Sequence, residues 1–486
     1  MRRCRTAPGA TRARNKGRTL PAAQASPMPF DACPERAAPA RRAARLAALS
    51  LGVVVVQIDV TVVNVALDQI QGLMQGGVAA LQWVVNGYTL AFASLLLTGG
   101  ALGDRFGARR LYLAGFALFT LASLACGLAP TGTVLIAARV AQGLGGALLM
   151  PCSLALVAHA YHDPGERMRA IGIWAGAGGM AMVAGPVVGG VLVALFGWRS
   201  IFLINLPIGA VGLWLTLRFT TETEGRHNRA LDLPGQILAI VALVALTGSI
   251  IEGEPLGWTS PLVMGGAALF LLAGIGFLLV ESRSAAPMMP LGLFRHPVFS
   301  AVSLIGFLLN AGYYGSTFLL SLYFQGPLGL SPLLTGLAFV PMTGLIAFVN
   351  VFAGRVAARH GARLPMVSGL CLTVAGFAAL ALALTPTADY GGLWWTLLLI
   401  GCGTALTVPP MTAALLATVD RARSGIASGV LNSLRQTGGA IGVAVLGAIG
   451  GGGMSVDGMR LAMALSGGVL VFALLAAVIW VRKPSR

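Results

Sequence analysis

Residues 100–110 read GALGDRFGARR, a short polar stretch between two long apolar runs at 82–99 and 111–129. Each run is close to the roughly 20 apolar residues that an α-helix needs to cross a bilayer. Three arginines and one aspartate are too costly to place in hydrocarbon, so this stretch must face water. Because arginine-rich loops between spans stay in the cytoplasm, the sequence predicts a cytoplasmic loop here.

A second stretch, residues 354–363, reads GRVAARHGAR and repeats the pattern G-x-x-x-x-R-x-G-A-R of the first. The chain therefore looks like two related halves, with this loop marking the same face in each. The second copy lacks the carboxylate of the first, because Ala358 occupies the position that corresponds to Asp104.

The composition is that of a polytopic membrane protein. Of 486 residues, 56% are hydrophobic and only 10% are charged, whereas a soluble domain carries about 25% charged residues. The net charge of +17 is a topology signal in such a chain, and we expect no nucleic-acid partner. Six cysteines without CxxC spacing lead us to expect no disulfide and no metal site.

Fourteen continuous apolar runs follow residue 45, and their length is typical of membrane helices rather than barrel strands. They cover residues 46–67, 82–99, 111–129, 133–158, 170–195, 201–217, 235–251, 261–280, 298–320, 333–353, 366–384, 393–417, 428–450 and 461–481. If the N-terminus is cytoplasmic and the spans alternate, 29 of the 33 Lys and Arg fall in cytoplasmic segments. The sequence thus predicts an all-α membrane protein with 14 transmembrane helices and both termini in the cytoplasm.

The repeat divides the chain into four regions. Residues 1–45 are predicted to be a disordered basic cytoplasmic tail, although a translation start at Met28 or an organellar transit peptide also fits their composition. Residues 46–219 and 298–486 are predicted to form two six-helix halves, and 220–297 a linker with two extra transmembrane helices. Parallel repeats around a central path describe a secondary transporter of the major facilitator type.

Five groups of residues form a recognisable set when taken in order. They are DVTVVNVAL at 59–67, GALGDRFGARR at 100–110, RVAQG at 139–143, Gly176 with GPVVGG at 185–190, and GWR at 197–199 with RQTGG at 435–439. The chain after residue 45 resembles the fourteen-helix drug:proton antiporters of the major facilitator superfamily. The resemblance implies the major facilitator fold, a multi-pass location in the cell membrane, and proton-driven efflux of drugs or antibiotics with no cofactor.

The charged residues of the first and fourth helices are the predicted proton-coupling site. Asp59 lies roughly 20 Å from one end of its helix and Arg139 roughly 9 Å from the opposite end of its own, at 1.5 Å per residue. In a core about 30 Å thick these depths coincide, so we expect contact, directly or through Asn64, Gln142 or water. The resemblance implies proton transfer at Arg139, and a purely structural pair is the alternative.

Two glycine-containing motifs are predicted to control the movement of the halves. The resemblance implies an antiporter seal in the fifth helix, where small residues let a neighbour approach closely, and a gate in the first loop, where Asp104 is expected near a helix N-terminus. Plain small-residue packing and a solvated loop are the alternatives. The residues are Gly176, Gly185, Pro186, Gly189 and Gly190 in the helix, and Gly100, Asp104, Arg105, Gly107, Arg109 and Arg110 in the loop.

The substrate cavity is predicted from polar and aromatic residues on the core helices, each of which alternatively packs between helices. The candidates are Gln57, Asn64, Asn86, Gln142, Tyr313, Tyr314, Asn432, Arg435 and Gln436. The adjacent tyrosines suit a flat or cationic ligand. The C-terminal half has no acid well inside a predicted helix, which favours monocationic, neutral or zwitterionic substrates over dications.

Other classes of protein fit the sequence less well. A membrane enzyme needs convergent His, Asp or Ser groups, and the five histidines are scattered over four loops or helix ends. No GxxxxGK[ST] motif occurs, so we expect no ATP-driven transport by this chain. We expect a monomeric transporter, not an enzyme, whose partners are a small-molecule substrate, protons and the bilayer. An exporter dedicated to one endogenous metabolite and an importer are the alternatives.

The asymmetry of the two loops generates a first prediction. Asp104→Asn should impair transport, because only the first copy of the loop has a carboxylate. Ala358→Asp should leave transport unchanged, since no carboxylate is needed in the second copy. Drug-susceptibility tests on cells expressing equal amounts of each variant measure both effects, and full resistance with Asp104→Asn would remove this carboxylate from the gate.

Overall fold

The computed structural model describes residues 39–74, 76–161, 163–223, 232–284, 286–420, 423–450 and 455–481. The predicted tail up to residue 38, the alternative start at Met28 and part of the predicted linker, 224–231, lie outside these residues. In the described part of the chain, the secondary structure is helical throughout.

The helices follow the predicted order of the apolar runs. They are α1 (Pro39–Gln71), α2 (Gly77–Phe106), α3 (Ala108–Gly127), α4 (Gly132–Ala160), α5 (Pro164–Phe196), α6 (Ser200–Leu203), α7 (Asn205–Phe219), α8 (Leu233–Leu256), α9 (Pro261–Arg283), α10 (Pro297–Gln325), α11 (Pro332–Ala338), α12 (Val340–Thr343), α13 (Ile346–His360), α14 (Arg363–Ala383), α15 (Tyr390–Leu416), α16 (Ser424–Gly450) and α17 (Val456–Trp480), with a 3₁₀-helix at Leu291–Arg295. Two predicted spans are interrupted, one as α6–α7 and the other as α11–α13. Pro341 lies at the start of α12, where its missing N–H accounts for part of the second interruption.

Thirteen of the described helical segments are long and apolar enough to cross a membrane. The predicted thirteenth span, α16, is not among them, although it has 27 residues. The polar residues between Asn432 and Thr437 lower its mean hydropathy. Together the segments give the predicted fourteen-helix arrangement.

The helix starts are set by capping side chains. Thr131, Asp163, Ser260 and Ser331 each accept a hydrogen bond from the backbone N–H three residues later, at the first turns of α4, α5, α9 and α11. A helix start leaves such N–H groups unpaired, and a short oxygen-bearing side chain satisfies one of them. These caps explain why the helices begin where the apolar runs begin.

The predicted loop at 100–110 is largely helical, which corrects the sequence interpretation. Residues 100–106 belong to α2 and 108–110 to α3, so only Gly107 lies between the helices. Gly107 has φ 99°, and Gly361 at the matching position of the second copy has φ 83°. Each donates its N–H to the carbonyl four residues back, Gly103 or Ala357. Hydropathy placed the helix ends too early because a helix continues into water as long as its backbone is paired.

The N-terminal and C-terminal helices meet along α2 and α16 and along α5 and α11. Gln82 of α2 donates from Nε2 to the carbonyls of Val443 and Ala444 in α16, at 2.8 and 2.9 Å. Ser433 of α16 donates to the carbonyl of Ala93 in α2 at 2.8 Å. Side chain to backbone bonds of this kind hold helices together in lipid, where no water competes for the carbonyls.

The extra helices α8 and α9 pack on each other, and α8 also contacts α2 and α16. Trp83 of α2 donates to the Glu252 carboxylate of α8 at 2.8 Å. Gln236 of α8 donates to the carbonyl of Ser94 at 2.9 Å. The insertion is therefore attached to α2 by polar contacts near both ends of α8. The region boundaries after residues 45, 219 and 297 stay predictions.

Replacing Gly107 should destabilise the protein. Its φ of 99° is strained for any residue with a side chain, and a Cβ there would lie 2.7 Å from the carboxyl carbon of Glu222. We expect Gly107→Ala to cost more than the roughly 1–3 kcal/mol of backbone strain alone, seen as a lower Tm of the purified protein.

Gly257 supplies the matched control. Its φ of 86° imposes a similar backbone strain, but a Cβ there would meet nothing within 4 Å. Gly257→Ala should therefore lower the Tm less than Gly107→Ala. Equal losses would show that contact with Glu222 contributes nothing.

Candidate functional site

Asp59 and Arg139 form an ion pair in the interior of the helix bundle. Arg139 donates from Nη1 to Oδ2 of Asp59 at 2.5 Å, and the two side chains are 0% and 1% exposed. The pair joins α1 to α4, as the depth calculation from the sequence predicted. Removing both charges from water is expensive, and their close contact offsets that cost only when further hydrogen bonds complete the network.

Gln142 is the residue that completes this network. It donates from Nε2 to Oδ1 of Asp59 at 2.6 Å and to Ser123 at 2.7 Å. Its carbonyl oxygen accepts from Nη1 of Arg139 at 2.7 Å. Asn205 of α7 adds a longer bond of 3.3 Å to the same carboxylate oxygen. The hydrogen-bond network around this one carboxylate thus connects α1, α3, α4 and α7.

Sequence reasoning missed Ser123 and gave no role to Asn205. Both side chains are 0% exposed. A serine in an apolar helix carries no signal by itself, because small polar residues are common at helix contacts. Asn64, which was expected to bridge the pair, instead donates to backbone carbonyls of its own helix.

Aromatic and backbone groups enclose the arginine. The Arg139 guanidinium carbon lies 4.5 Å from the ring centre of Tyr88 and 5.7 Å from that of Phe202, and its Nε donates to the carbonyl of Val84 at 3.1 Å. Cation–π contact of this kind strengthens when the cation is away from water. Tyr88, Phe202 and Val84 thus hold the guanidinium in place beside Asp59.

The central cleft lies between the two sets of helices, next to this pair. Its first part is lined by Val60, Asn64, Val85, Tyr88, Thr89, Arg139, Tyr314, Gln436, Gly439 and Val443. A second part is lined by Thr61, Asn64, Pro186, Tyr313, Tyr314, Thr317, Phe339 and Thr343. Asn64 and Tyr314 belong to both parts. Arg139 is thus a member of both the ion pair and the cleft wall.

Only four of the nine predicted cavity residues line this cleft, and three others lie away from it. Asn86 is fully buried because Val85 and Thr89 take the cleft face of α2, which turns Asn86 away. Gln142 is committed to the Asp59 network. Gln57 lies one turn before Val60, beyond the end of the cleft.

The other six candidates are in the cleft or beside it. Asn64, Tyr313, Tyr314 and Gln436 line it. The tyrosine rings pack edge to face, 5.5 Å apart at 87°. Asn432 and Arg435 lie beside it on α16. Tyr313 and Tyr314 therefore lie side by side in the cleft wall, and their role in substrate binding stays a prediction.

The antiporter glycines of α5 divide into two groups. A Cβ at Gly189 would lie 2.7 Å from Val62 of α1, and one at Gly190 would lie 2.7 Å from the carbonyl of Pro332 in α11. Gly185 packs equally closely on Thr61, and Pro186 also contacts α11 through Gly336. The expectation of close contact is wrong for Gly176, where a Cβ would meet nothing within 4 Å. A small residue allows close helix packing only where a neighbouring helix actually approaches it.

The helix start at α3 is capped by residues that sequence reasoning missed. Glu222, in the segment after α7, accepts from the backbone N–H groups of Arg109 and Arg110 at 2.9 and 3.1 Å. Thr223 accepts from the N–H of Ala108 at 2.9 Å. Asp104, which was expected at a helix start, lies exposed near the end of α2. The carboxylate that caps these N–H groups is that of Glu222. It lies 113 residues after Arg109 in the sequence and is brought there by the fold.

Comparison with known proteins decides the family. The Major Facilitator Superfamily profile matches residues 49–443. The chain belongs to the major facilitator superfamily. It is a multi-pass membrane protein built on the transporter fold of that superfamily.

Relatives and solved structures agree with this assignment. The chain is 42% identical to the methylenomycin A resistance protein of Streptomyces coelicolor, over 83% of this chain and 85% of that protein. It is 40% identical to the multidrug resistance protein Stp of Mycobacterium tuberculosis, over 83% of this chain and 75% of that protein. A bacterial homologue of the human lysosomal transporter Spinster, in an inward-facing and unoccupied conformation, shares the fold with a TM-score of 0.65 at 17% identity, covering 92% of this chain and 100% of that one.

Removing the arginine of the ion pair should cost more than removing both charges. Arg139→Gln leaves Asp59 buried without its cation, at a cost of about 3–5 kcal/mol. Asp59→Asn combined with Arg139→Gln removes the uncompensated charge and should recover part of the lost Tm. If the double variant is no more stable than Arg139→Gln alone, Asp59 is not the partner that matters.

An exposed pair serves as the control for these variants. Arg42 and Glu166 are 2.9 Å apart with side chains 39% and 49% exposed. Arg42→Gln should therefore change the unfolding free energy by less than about 1 kcal/mol. Thermal unfolding in one detergent, followed for all the variants, gives the comparison.

Proposed function

We propose that this protein exports amphipathic drugs or antibiotics from the cell in exchange for protons. The observation that carries the proposal is the buried Asp59–Arg139 pair, which has Arg139 in the wall of the central cleft. A carboxylate that exchanges a proton beside the substrate path is what coupled transport requires. The resistance functions in the names of the two relatives agree with export.

Coupling follows from competition for the Asp59 carboxylate. While Asp59 is ionised, it holds Arg139 and Gln142, and α1 and α4 stay bound together. Protonation removes the negative charge and weakens both bonds, which frees Arg139 toward the cleft. A substrate that contacts Arg139, Tyr88 or Asn64 would then bind a rearranged wall, so that proton and substrate each alter the affinity for the other.

Transport also requires the halves to move. The cleft is narrow, with room for about one water molecule rather than a drug. Two kinds of contact hold the helices together on one side of this cleft. They are the close packing at Gly189 and Gly190 and the hydrogen bond from Ser321 of α10 to the Asn64 carbonyl. We propose that these contacts open and close as the protein alternates between two conformations, with the transport path contained in one monomer.

Transport rather than chemistry is the proposed role of this site. Its polar groups are occupied in holding a carboxylate and an arginine, and no nucleophile with an adjacent base lies among the described cleft residues. The 42% identical relative is named for resistance to one antibiotic and the 40% identical relative for resistance to many drugs. A susceptibility panel with and without expression therefore decides between a dedicated exporter and a broad one.

Asp59→Asn should abolish coupling without abolishing substrate movement. In inverted membrane vesicles acidified inside, the wild-type protein should accumulate a drug from the susceptibility panel. The variant should show no accumulation above vesicles that lack the protein, because it has no carboxylate to carry the proton. It should still exchange labelled for unlabelled drug, since the substrate path is intact.

Asp68→Asn is the matched control on the same helix. Asp68 is exposed and lies outside the ion-pair network, so its variant should accumulate drug like the wild type. Full proton-driven accumulation with Asp59→Asn would refute the proposed coupling site. Accumulation that needs no proton gradient in the wild type would refute antiport itself.

A further inference from the structure

Arg435 is a partly buried arginine that has no acid to pair with among the described residues. The ion pairs among the described residues join Arg42 to Glu166, Arg110 to Glu222 and Arg139 to Asp59, and none includes Arg435. Its Nη1 donates to Oδ1 of Asn432 over 3.4 Å, and its buried Nε has no partner. A cation at this depth costs at least several kcal/mol unless an anion, water or dipoles compensate it.

The side chain of Arg435 lies next to the helix face of α16 that lines the central cleft. Asn432, Gln436, Gly439 and Val443 recur every three or four residues and so share one face of α16. The last three line the cleft, and the Arg435 guanidinium contacts the first of the four. The guanidinium therefore lies about one turn nearer the start of α16 than the known cleft lining.

The stem of Arg435 has a prepared place between two helices. A Cβ at Gly306 of α10 would lie 3.1 Å from Cγ of Arg435, so the glycine leaves room for the arginine. Farther along, a Cβ at Gly439 would lie 2.9 Å from the ring of Tyr314. The two helices thus hold an arginine and an aromatic ring at successive levels of the same cleft.

The cleft carries an uncompensated positive charge. Arg139 is neutralised by Asp59. The acids of the described C-terminal helices and their ends are Asp389, Asp420 and Asp457, and all three are exposed. With Arg435 unpaired, the charged groups around the cleft sum to one positive charge in a region of low dielectric constant, where a charge acts strongly.

We propose that Arg435 binds the carboxylate of an acidic amphipathic substrate whose apolar part lies against Tyr314 and Val443. A guanidinium presents two parallel donors that match the two oxygens of a carboxylate, and such paired bonds are stronger than neutral ones. Gln436, one residue on and in the cleft wall, offers an amide for further polar contact. A dication would meet repulsion at the same position. This inference rests on the proposed export function and names its substrate class.

Photolabelling tests the site without requiring transport. The probes are 4-benzoylbenzoate and its primary amide, which have the same shape and differ in charge. Full-length protein in lipid nanodiscs is irradiated with each probe, and the labelled peptides are mapped by mass spectrometry. The acid should label peptides of α10 and α16 about tenfold or more above the amide, a ratio that corresponds to about 1.4 kcal/mol.

Arg435→Gln should reduce labelling by the acid to the level of the amide, and Arg435→Lys should retain part of it. Arg363→Gln is the control, because Arg363 bonds a carbonyl of α17 on an exposed surface and its loss removes the same charge elsewhere. Equal labelling by acid and amide in the wild type, or unchanged acid labelling in Arg435→Gln, would overturn the proposal. If the Arg435→Gln variant does not fold, the ratio of acid labelling to amide labelling in the wild-type protein tests the proposal by itself.

Transport measurements separate this inference from the export function. In acidified inverted vesicles, Arg435→Gln should lose uptake of carboxylate drugs and keep uptake of neutral ones. Export of every drug without selective acid labelling would overturn the carboxylate site and leave proton-driven export standing. Selective labelling in a protein that shows no proton-driven uptake would support the site and refute the export function.

Discussion

The ion pair between Asp59 and Arg139 is the interaction on which the rest of this structure depends. A single charge inside a membrane bundle is unfavourable, and the two charges are tolerated because they meet at 2.5 Å and share Gln142. Four helices contribute to this network, so its geometry sets how α1, α3, α4 and α7 pack. One carboxylate therefore lies at the centre of the packing of a whole set of helices.

Helix α1 links this network to the other set of helices. It carries Asp59 in the network and, five residues later, Asn64 in the cleft wall. The carbonyl of Asn64 accepts a hydrogen bond from Ser321 of α10, and Thr61 and Val62 between them pack on the glycines of α5. The acid, the cleft and the contact between helix sets thus lie within two turns of one helix. Any rotation of α1 must alter all three together.

The two basic repeats show how one motif acquires different surroundings. Both contain a glycine with positive φ between two helices, so the backbone requirement is the same at Gly107 and Gly361. Only the first repeat is capped by Glu222, which reaches it from the segment after α7. In the same way, both arginines of the interior lie beside the cleft, yet only Arg139 has a carboxylate partner. The structure is repetitive in its backbone and asymmetric in its charges.

The sequence alone determined the spans, their order and the interior charges, because burying a backbone and avoiding stray charges in lipid leave few choices. It also placed Asp59 and Arg139 at one depth, since helical rise converts residue number into distance. The rotation of each helix about its axis was decided only by tertiary packing. That rotation turns Asn64 to the cleft and Asn86 away from it and adds Ser123 to the network around Asp59, while the path of the chain after α7 brings Glu222 to α3. Neighbouring residues on a helix differ by about 100° in direction, so only contact with the surrounding helices determines which of them meet.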